Sequence, residues 1–331
     1  MKLACSSSAY DEAFRAGRID LRGFLRACAE DMELDGVSLA ASHLPTTDVI
    51  YLRDLKKLCI DLHLTIASIN VDAPIGTPER RDAAVADVKG WCDIAAYLGA
   101  PIVTLTAGSM PQPRALDPAA AAGRIVGLFR RVFREQPPSV RRAWSDAMWA
   151  LRQIADYGAT RGVAIAARNE RRVDARALLD APHELWQCMR DVGSPWLRAC
   201  PDPAAMRDRT ALDLPLQYAV EVAATLGEVH EDGSDAATHW PEILRLLRAA
   251  RYRGFVTLDY RGAEAAESAL PRAARHMRGL LHLFERQEML RSSNGNTSNA
   301  VPAGNQVPDD YRIVQPAAES DSELREILAR R

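Results

Sequence analysis

Eight strand-like stretches alternate with helix-like ones along the first 287 residues of this 331-residue chain, and no other feature limits the fold so tightly. The strand-like stretches are 3–6, 36–42, 65–72, 102–108, 163–170, 196–202, 218–225 and 254–262. Each is short, apolar on alternate positions, and ends in small polar or charged residues. Between them, apolar residues recur at helical spacing over 21–32, 48–62, 78–98, 140–158, 174–192 and 240–250, and a last helix is expected over 264–287. Asp20 caps the first of these helices and Gly99 ends the third. A strand followed by a helix, repeated, means parallel strands joined by crossover helices. Eight such units fit the α/β class as a closed (β/α)8 barrel better than as an open doubly wound sheet, because no early strand leads into a Gly-x-Gly-x-x-Gly turn.

Composition narrows the function classes. The formal net charge of −2 gives no basic field for nucleic acid. The N-terminus runs directly into a strand pattern, and no apolar run spans a bilayer, so neither a signal peptide nor a membrane segment is expected. Six cysteines (Cys5, Cys28, Cys59, Cys92, Cys188, Cys200) lack Cys-x-x-Cys spacing and sit in apolar patterns, as buried free thiols of a reducing cytoplasm do. Two segments stand apart. An alanine- and arginine-rich helical pattern at 118–135 marks 111–138 as an insertion after strand four. Residues 288–331 follow the barrel domain, 1–287, as a Ser/Asn/Gly/Pro-rich linker and a short amphipathic stretch at 320–330 with Leu324, Ile327 and Leu328 on one side.

A barrel of this kind carries its working groups at the C-terminal ends of its strands. Alternation turns Ser6, Ser38, Ser42, Ser68, Asn70, Thr104, Thr106, Arg168, Asp202, Glu221 and Asp259 inward, a mostly small and polar set with room for a hydroxyl-rich ligand. His43, at the end of strand two, joins them as a ligand-contacting candidate. Three acids and an arginine near one axis require mutual pairing. Ser6-Ser7-Ser8 lacks a nucleophile-elbow setting and has no histidine predictably beside it, so no nucleophilic triad is expected.

Several runs carry a family resemblance: Phe24-Leu25-Arg26-Ala27-Cys28-Ala29-Glu30-Asp31, Leu34-Asp35-Gly36-Val37, Ala95-x-x-Leu98-Gly99-Ala100-Pro101, Cys200-Pro201-Asp202-Pro203, and Tyr252-Arg253-Gly254-Phe255-Val256-Thr257-Leu258-Asp259-Tyr260-x-Gly262. Through these the chain resembles the xylose-isomerase-like TIM barrels, the superfamily of sugar phosphate isomerases and epimerases. The resemblance implies a divalent metal held by Glu after strand five, Asp after strand six, His on strand seven and Glu on strand eight, with the two glutamates moving the substrate proton. At the matching positions this chain has Arg168-Asn169-Glu170, Asp202 followed by Pro203-Ala204-Ala205, Glu221-Val222-Ala223-Ala224-Thr225, and Asp259.

Arginine stays protonated and neither binds metal nor acts as a base. Arg168 is therefore expected to replace the metal as counter-charge, its fork bonding Asp202 and Asp259, or Glu221, at two points. Glu221 has a second reading, as a structural partner of Arg198. The resulting expectation is an isomerase/epimerase-like barrel with a degenerate metal site. It binds a sugar, sugar phosphate or polyol through Arg168, Asp202, His43, Asn70 and Thr106, with catalysis lost or altered. No cofactor is expected. An active isomerase, epimerase or dehydratase is the alternative, using Asp259, Glu170 or Glu221 with a rearranged site, and there Mn, Mg or Zn on Asp202 and Asp259 remains open. A non-catalytic scaffold is the third reading, and homo-oligomers are what the resemblance implies.

Overall fold

The computed structural model describes residues 1–109, 138–172, 176–206, 209 and 211–294. Both the inserted helical pattern at 118–135 and the amphipathic stretch at 320–330 lie outside the described residues. Eight strands form one sheet: β1 (Lys2–Ser6), β2 (Gly36–Ala40), β3 (Thr65–Asp72), β4 (Ile102–Thr106), β5 (Ala164–Arg168), β6 (Leu197–Cys200), β7 (Glu221–Leu226) and β8 (Phe255–Tyr260). All ladders are parallel, in the order β6-β5-β4-β3-β2-β1-β8-β7. The two ends meet through backbone bonds. Ala199 donates to Tyr218 and accepts from Val220, and the Ala223 amide donates to the Pro201 carbonyl at 2.9 Å. Closure is thin here because β6 runs into Pro201 and Pro203, which have no N–H to extend a ladder. The result is the (β/α)8 barrel that the alternation implies.

Val163, just before β5, and Ile165 and Ala167 within it face the helices and join the large core between sheet and helix layer. Their neighbours face the barrel axis. There a small apolar cluster of Ile102, Ala166, Cys200 and Ala223 fills the middle. All six cysteines are buried free thiols. Burial pushes the Cys59 and Cys92 thiols up to about 12, so they stay protonated and unreactive at neutral pH.

Some elements differ from the sequence expectation. Strand two stops at Ala40, and residues 41–43 turn into a short 3-10 helix that leaves Ser42 exposed rather than inward. The helix expected from 174 begins only at Pro182, whose ring suits a first helical turn. The last helix, Ala266–Asn294, runs past the expected end at 287. The helix Pro78–Leu98 ends as expected, with Gly99 left-handed at φ 80°.

Close approach makes Gly36 irreplaceable at the start of β2. An added Cβ there would lie 2.5 Å from the Thr65 carbonyl oxygen and 2.9 Å from the Phe255 ring. Gly36→Ala should therefore lose about 1–3 kcal/mol of unfolding free energy, the usual range for overpacking. An unchanged midpoint in a urea titration would contradict this reading.

Candidate functional site at the barrel mouth

The axial side chains form layers. Lowest is Glu221, at the start of β7 and buried. Its carboxylate accepts from the Thr104 hydroxyl at 2.8 Å and the Thr257 hydroxyl at 2.5 Å. Above it lies the small cluster containing Ala166, Cys200 and Ala223. Uppermost are Arg168, Asp202, Thr225 and Asp259. β7 pairs with β8 so that Thr225 stands opposite Asp259 and Glu221 opposite Phe255. Four residues of strand put Glu221 about 13 Å below Thr225 at ~3.3 Å per residue. Glu221 thus ties three strands together at depth and does not meet Arg168.

Arg168 sits among oxygens. Its Nη2 donates to Asp202 Oδ2 at 2.8 Å, to Thr225 Oγ1 at 3.0 Å and to Asp259 Oδ2 at 3.0 Å. The Thr225 hydroxyl in turn donates to Asp202 Oδ2 at 2.6 Å. One nitrogen serves all three acceptors, so the two-point fork expected from sequence is replaced by a single shared point. The side chain of Arg168 is 16% exposed, against 2% and 1% for Asp202 and Asp259. Burial by itself would weaken its hold on the proton. Asp202 and then Asp259 outweigh that, keeping the guanidinium pKa above its ordinary value. Asn169 secures the cluster from behind: its side chain donates to the Asp202 carbonyl at 3.0 Å and accepts from the Asp202 amide at 2.8 Å.

The charges continue outward. Arg261 Nη2 lies 3.2 Å from Asp259 Oδ2, and its Nη1 lies 3.7 Å from Asp11 Oδ2. Asp11 Oδ1 is 2.9 Å from His43 Nε2, and His43 Nδ1 is 2.9 Å from Ser7 Oγ. The Ser7 hydroxyl oxygen also accepts from the Ala40 amide at 2.8 Å. With Nε2–H directed at Asp11, Nδ1 accepts from the Ser7 hydroxyl, and His43 is neutral. A histidine therefore stands beside the serine run, a neighbour that the sequence pattern did not place there. Ser7 is fully buried, and the array clasps the short helices that follow β1 and β2. On the far side, Asn70 accepts from Ser38 at 3.1 Å and donates to Ser6 at 3.3 Å, and Ser68 bonds Ser38. Thr106 donates to Asp72 at 2.7 Å. Glu170 turns to Arg172, 3.0 Å away.

Of the sequence-derived candidates, the structure joins Arg168, Asp202 and Asp259 directly and links His43 to them through Asp11 and Arg261. Asn70 belongs to a separate hydroxyl-amide knot of the mouth, Thr106 is tied to Asp72, and Glu170 and Glu221 lie apart. Sequence reasoning missed Thr225, Arg261, Asp11 and Ser7. Thr225 shares the inward face with Glu221, and Arg261 lies two residues beyond Asp259, so alternation held a signal for both. Asp11 sits in a short helix, Asp11–Arg15, that the pattern does not mark.

Burial depresses the His43 pKa below its ordinary value of 6.5, against the pull of Asp11. A histidine that protonates less readily folded than unfolded adds stability above about pH 6.5, and that stability drains away as pH falls toward the folded value. His43→Gln should flatten the stability profile below about pH 6.5, where one proton is worth up to about 1.4 kcal/mol per pH unit. Denaturant midpoints measured across that range check it; parallel profiles for the two proteins would count against it.

A divalent ion, which this kind of barrel implies, can be tested against these donors. The point between the strand ends is taken by a permanently protonated nitrogen within hydrogen-bonding distance of the β7 and β8 side chains and of Asp202. Among the described residues, no group of three or more His, Cys, Asp or Glu converges as a metal-binding set. The residues as placed do not fit the ion.

Known proteins give the context. No curated protein matches the sequence. Solved structures do match. A D-psicose 3-epimerase from Clostridium cellulolyticum H10, determined with D-tagatose, superposes with a TM-score of 0.64 at 14% identity, covering 86% of this chain and 99% of that one. An L-ribulose 3-epimerase gives 0.63 at 18% identity, covering 89% and 99%. A D-tagatose 3-epimerase-like protein gives 0.64 at 15% identity, covering 87% and 100%. At such identities the likeness concerns the fold. The family model described as "Xylose isomerase-like TIM barrel" matches residues 26–280, well over half of the sequence, and the chain belongs to that family.

Proposed function

We propose that this barrel binds a sugar-type ligand, a ketose or the corresponding polyol, at its mouth, with Arg168 in place of the divalent metal and metal-dependent epimerisation lost or altered. One observation carries the reading: Arg168 Nη2 lies 2.8–3.0 Å from the carboxylates of both Asp202 and Asp259. The structural neighbours whose names specify ketose epimerases support the ligand class. So do the small hydroxyl and amide side chains of Ser6, Ser38, Ser68 and Asn70 around the axis. The other guanidinium nitrogens of Arg168 have no partner among the described residues, which leaves donors for a ligand hydroxyl or carbonyl oxygen.

The chain's acids are poorly placed as bases. Asp259 Oδ1 accepts from the Tyr260 amide at 3.0 Å while Oδ2 faces two guanidinium groups. Both oxygens of Glu221 are held by threonine hydroxyls. Transfer of a proton between neighbouring carbons by two carboxylates would therefore need a different arrangement.

Calorimetric titration with Mn²⁺ or Mg²⁺ should give no saturable stoichiometric binding. A ketose or polyol at about 100 times its Kd should stabilise the protein by about 2.7 kcal/mol, seen as a rise in Tm. A tight 1:1 metal site that Asp259→Asn abolishes would overturn the proposal. A broad panel of sugars, sugar phosphates and polyols without any shift would favour a scaffold role instead.

A further inference from the structure

The contacts of His43 leave no place for a second proton on its ring. Nδ1 lies 2.9 Å from Ser7 Oγ, and Nε2 lies 2.9 Å from Asp11 Oδ1. The Ser7 oxygen already accepts from the Ala40 amide at 2.8 Å. Its hydroxyl proton is therefore aimed at Nδ1, and Ser7 has no further side-chain partner among the described residues. The imidazole is thus the acceptor for a buried hydroxyl.

Protonation turns Nδ1 into a donor. Two hydrogens would then face each other across 2.9 Å. Either the Ser7 hydroxyl turns away and loses its acceptor inside the protein, or the ring leaves. Ser7 is 0% exposed, whereas 14% of the His43 side chain reaches solvent. An unpaired buried hydroxyl is the costlier outcome, so the ring is the part that moves.

The surroundings of the ring favour its neutral form. Asp11 is the charged group in contact with it, and Arg261 stands behind Asp11, 3.7 Å from Oδ2. Glu12 and Arg15 of the same short helix are exposed. On β3, which packs against residues 41–43, the charged residue is Asp72, held by the Thr106 hydroxyl at 2.7 Å. Phe14 covers the ring with an uncharged neighbour, 4.5 Å between centroids. Burial lowers the pKa of His43, and Asp11 pulls the other way without restoring it.

The clasp is continuous with the cluster on the barrel axis. Residues 7–15 are tied to the β2 side by the Ser7–His43 bond. They are tied to the β8 side by Arg261, which donates to the Ser8 carbonyl at 3.4 Å, approaches Asp11 and bonds Asp259.

We propose that His43 is a proton-operated clasp on this edge of the barrel mouth. On taking up a proton the ring leaves Ser7, turns outward with Asp11, and parts residues 41–43 from residues 7–15. Arg261 is then left with Asp259 and the Ser8 carbonyl. The edge is fastened at neutral pH and loosened in acid. As regulation of ligand entry the clasp rests on the ligand reading of the mouth, but its own test uses no ligand, so the two can fail separately.

Hydrogen exchange on the full chain, corrected for the pH dependence of the intrinsic rate, tests it. From about pH 7.5 to about 5.5, protection of 7–15 and 38–44 should fall by up to about tenfold. That is the factor by which one proton, taken up at the ordinary histidine value of about 6.5, shifts an opening. Full-length His43→Gln, whose amide can donate to Asp11 and accept from Ser7 without titrating, should show no such fall. An NMR titration should place the His43 midpoint of the wild type below 6.5, and Asp11→Asn should lower it further. Protection in the wild type that does not change with pH would overturn the proposal. So would an equal fall in His43→Gln, a midpoint at or above 6.5, or a loss of protection spread evenly over the barrel.

Discussion

Arg168→Ala should cost about 3–5 kcal/mol of unfolding free energy at neutral pH, the range for removing one partner from a buried ionic group. The reason is the company it leaves. Asp202 and Asp259 are 2% and 1% exposed, and both share the same guanidinium nitrogen. Without it two carboxylates face each other in a site with little water, and one of them must take up a proton to remain. That gives the variant its own pH signature. A carboxyl whose folded pKa is raised holds its stability below the unfolded value near 3.9 and loses it as pH rises through the folded value. The gap between wild type and variant should therefore be small in acid and widen toward neutrality. Arg168→Lys should lose less than half as much, because a single nitrogen makes all three contacts and an ammonium keeps a point charge nearby. Denaturant unfolding of the three proteins from pH 4.5 to 8 reads out both effects. A loss under 1 kcal/mol at pH 8 for the alanine variant would show that the carboxylates do not depend on Arg168.

The fold was readable because it is periodic. Val163, Ile165 and Ala167 alternate with Ala164, Ala166 and Arg168, and the structure sends the first set into the outer core and Arg168 to the axis. Period two assigns a face, but not a height along the strand. Glu221, Ala223 and Thr225 all face inward, so the pattern treats them alike. Only the cross-strand register, Thr225 opposite Asp259, puts Thr225 at the mouth and Glu221 at the base. The expected contacts of Arg168 to Asp202 and Asp259 are present, whereas the alternative acid, Glu221, lies at the wrong level to reach it. The connection of His43 to Arg261 through Asp11 had no signature in the local pattern. It joins residues from three segments far apart in sequence by side-chain contacts that no local spacing encodes. Ser42 failed for a nearer reason: its strand ends two residues earlier, and past the end alternation no longer applies.

That register yields the second large effect. Arg168→Glu combined with Thr225→His should create a divalent-metal site, whereas Arg168→Glu combined with Ala223→His should not. The guanidinium nitrogen now occupies a point 2.8–3.0 Å from oxygens of Asp202, Thr225 and Asp259. Those side chains already converge on one centre. Replacing the fixed cation by a carboxylate and the hydroxyl by an imidazole gives a set of three acids and one histidine there, a combination that suits Mn²⁺. The acids also gain a reason to bind it, since three carboxylates without a counter-charge repel one another. Ala223 sits two residues, about 7 Å at ~3.3 Å per residue, below Thr225. It packs with Ala166 and Cys200 in the middle of the barrel. An imidazole there overfills a close-packed layer and points beneath the acids. Mn²⁺ at about 100 times its Kd should stabilise the first double variant by about 2.7 kcal/mol and leave wild type and the second variant unmoved. Binding by the Ala223→His protein alone would mean that the strand-seven position facing the metal centre is one layer lower than Thr225, and the assignment of Arg168 as the ion's substitute would fail with it.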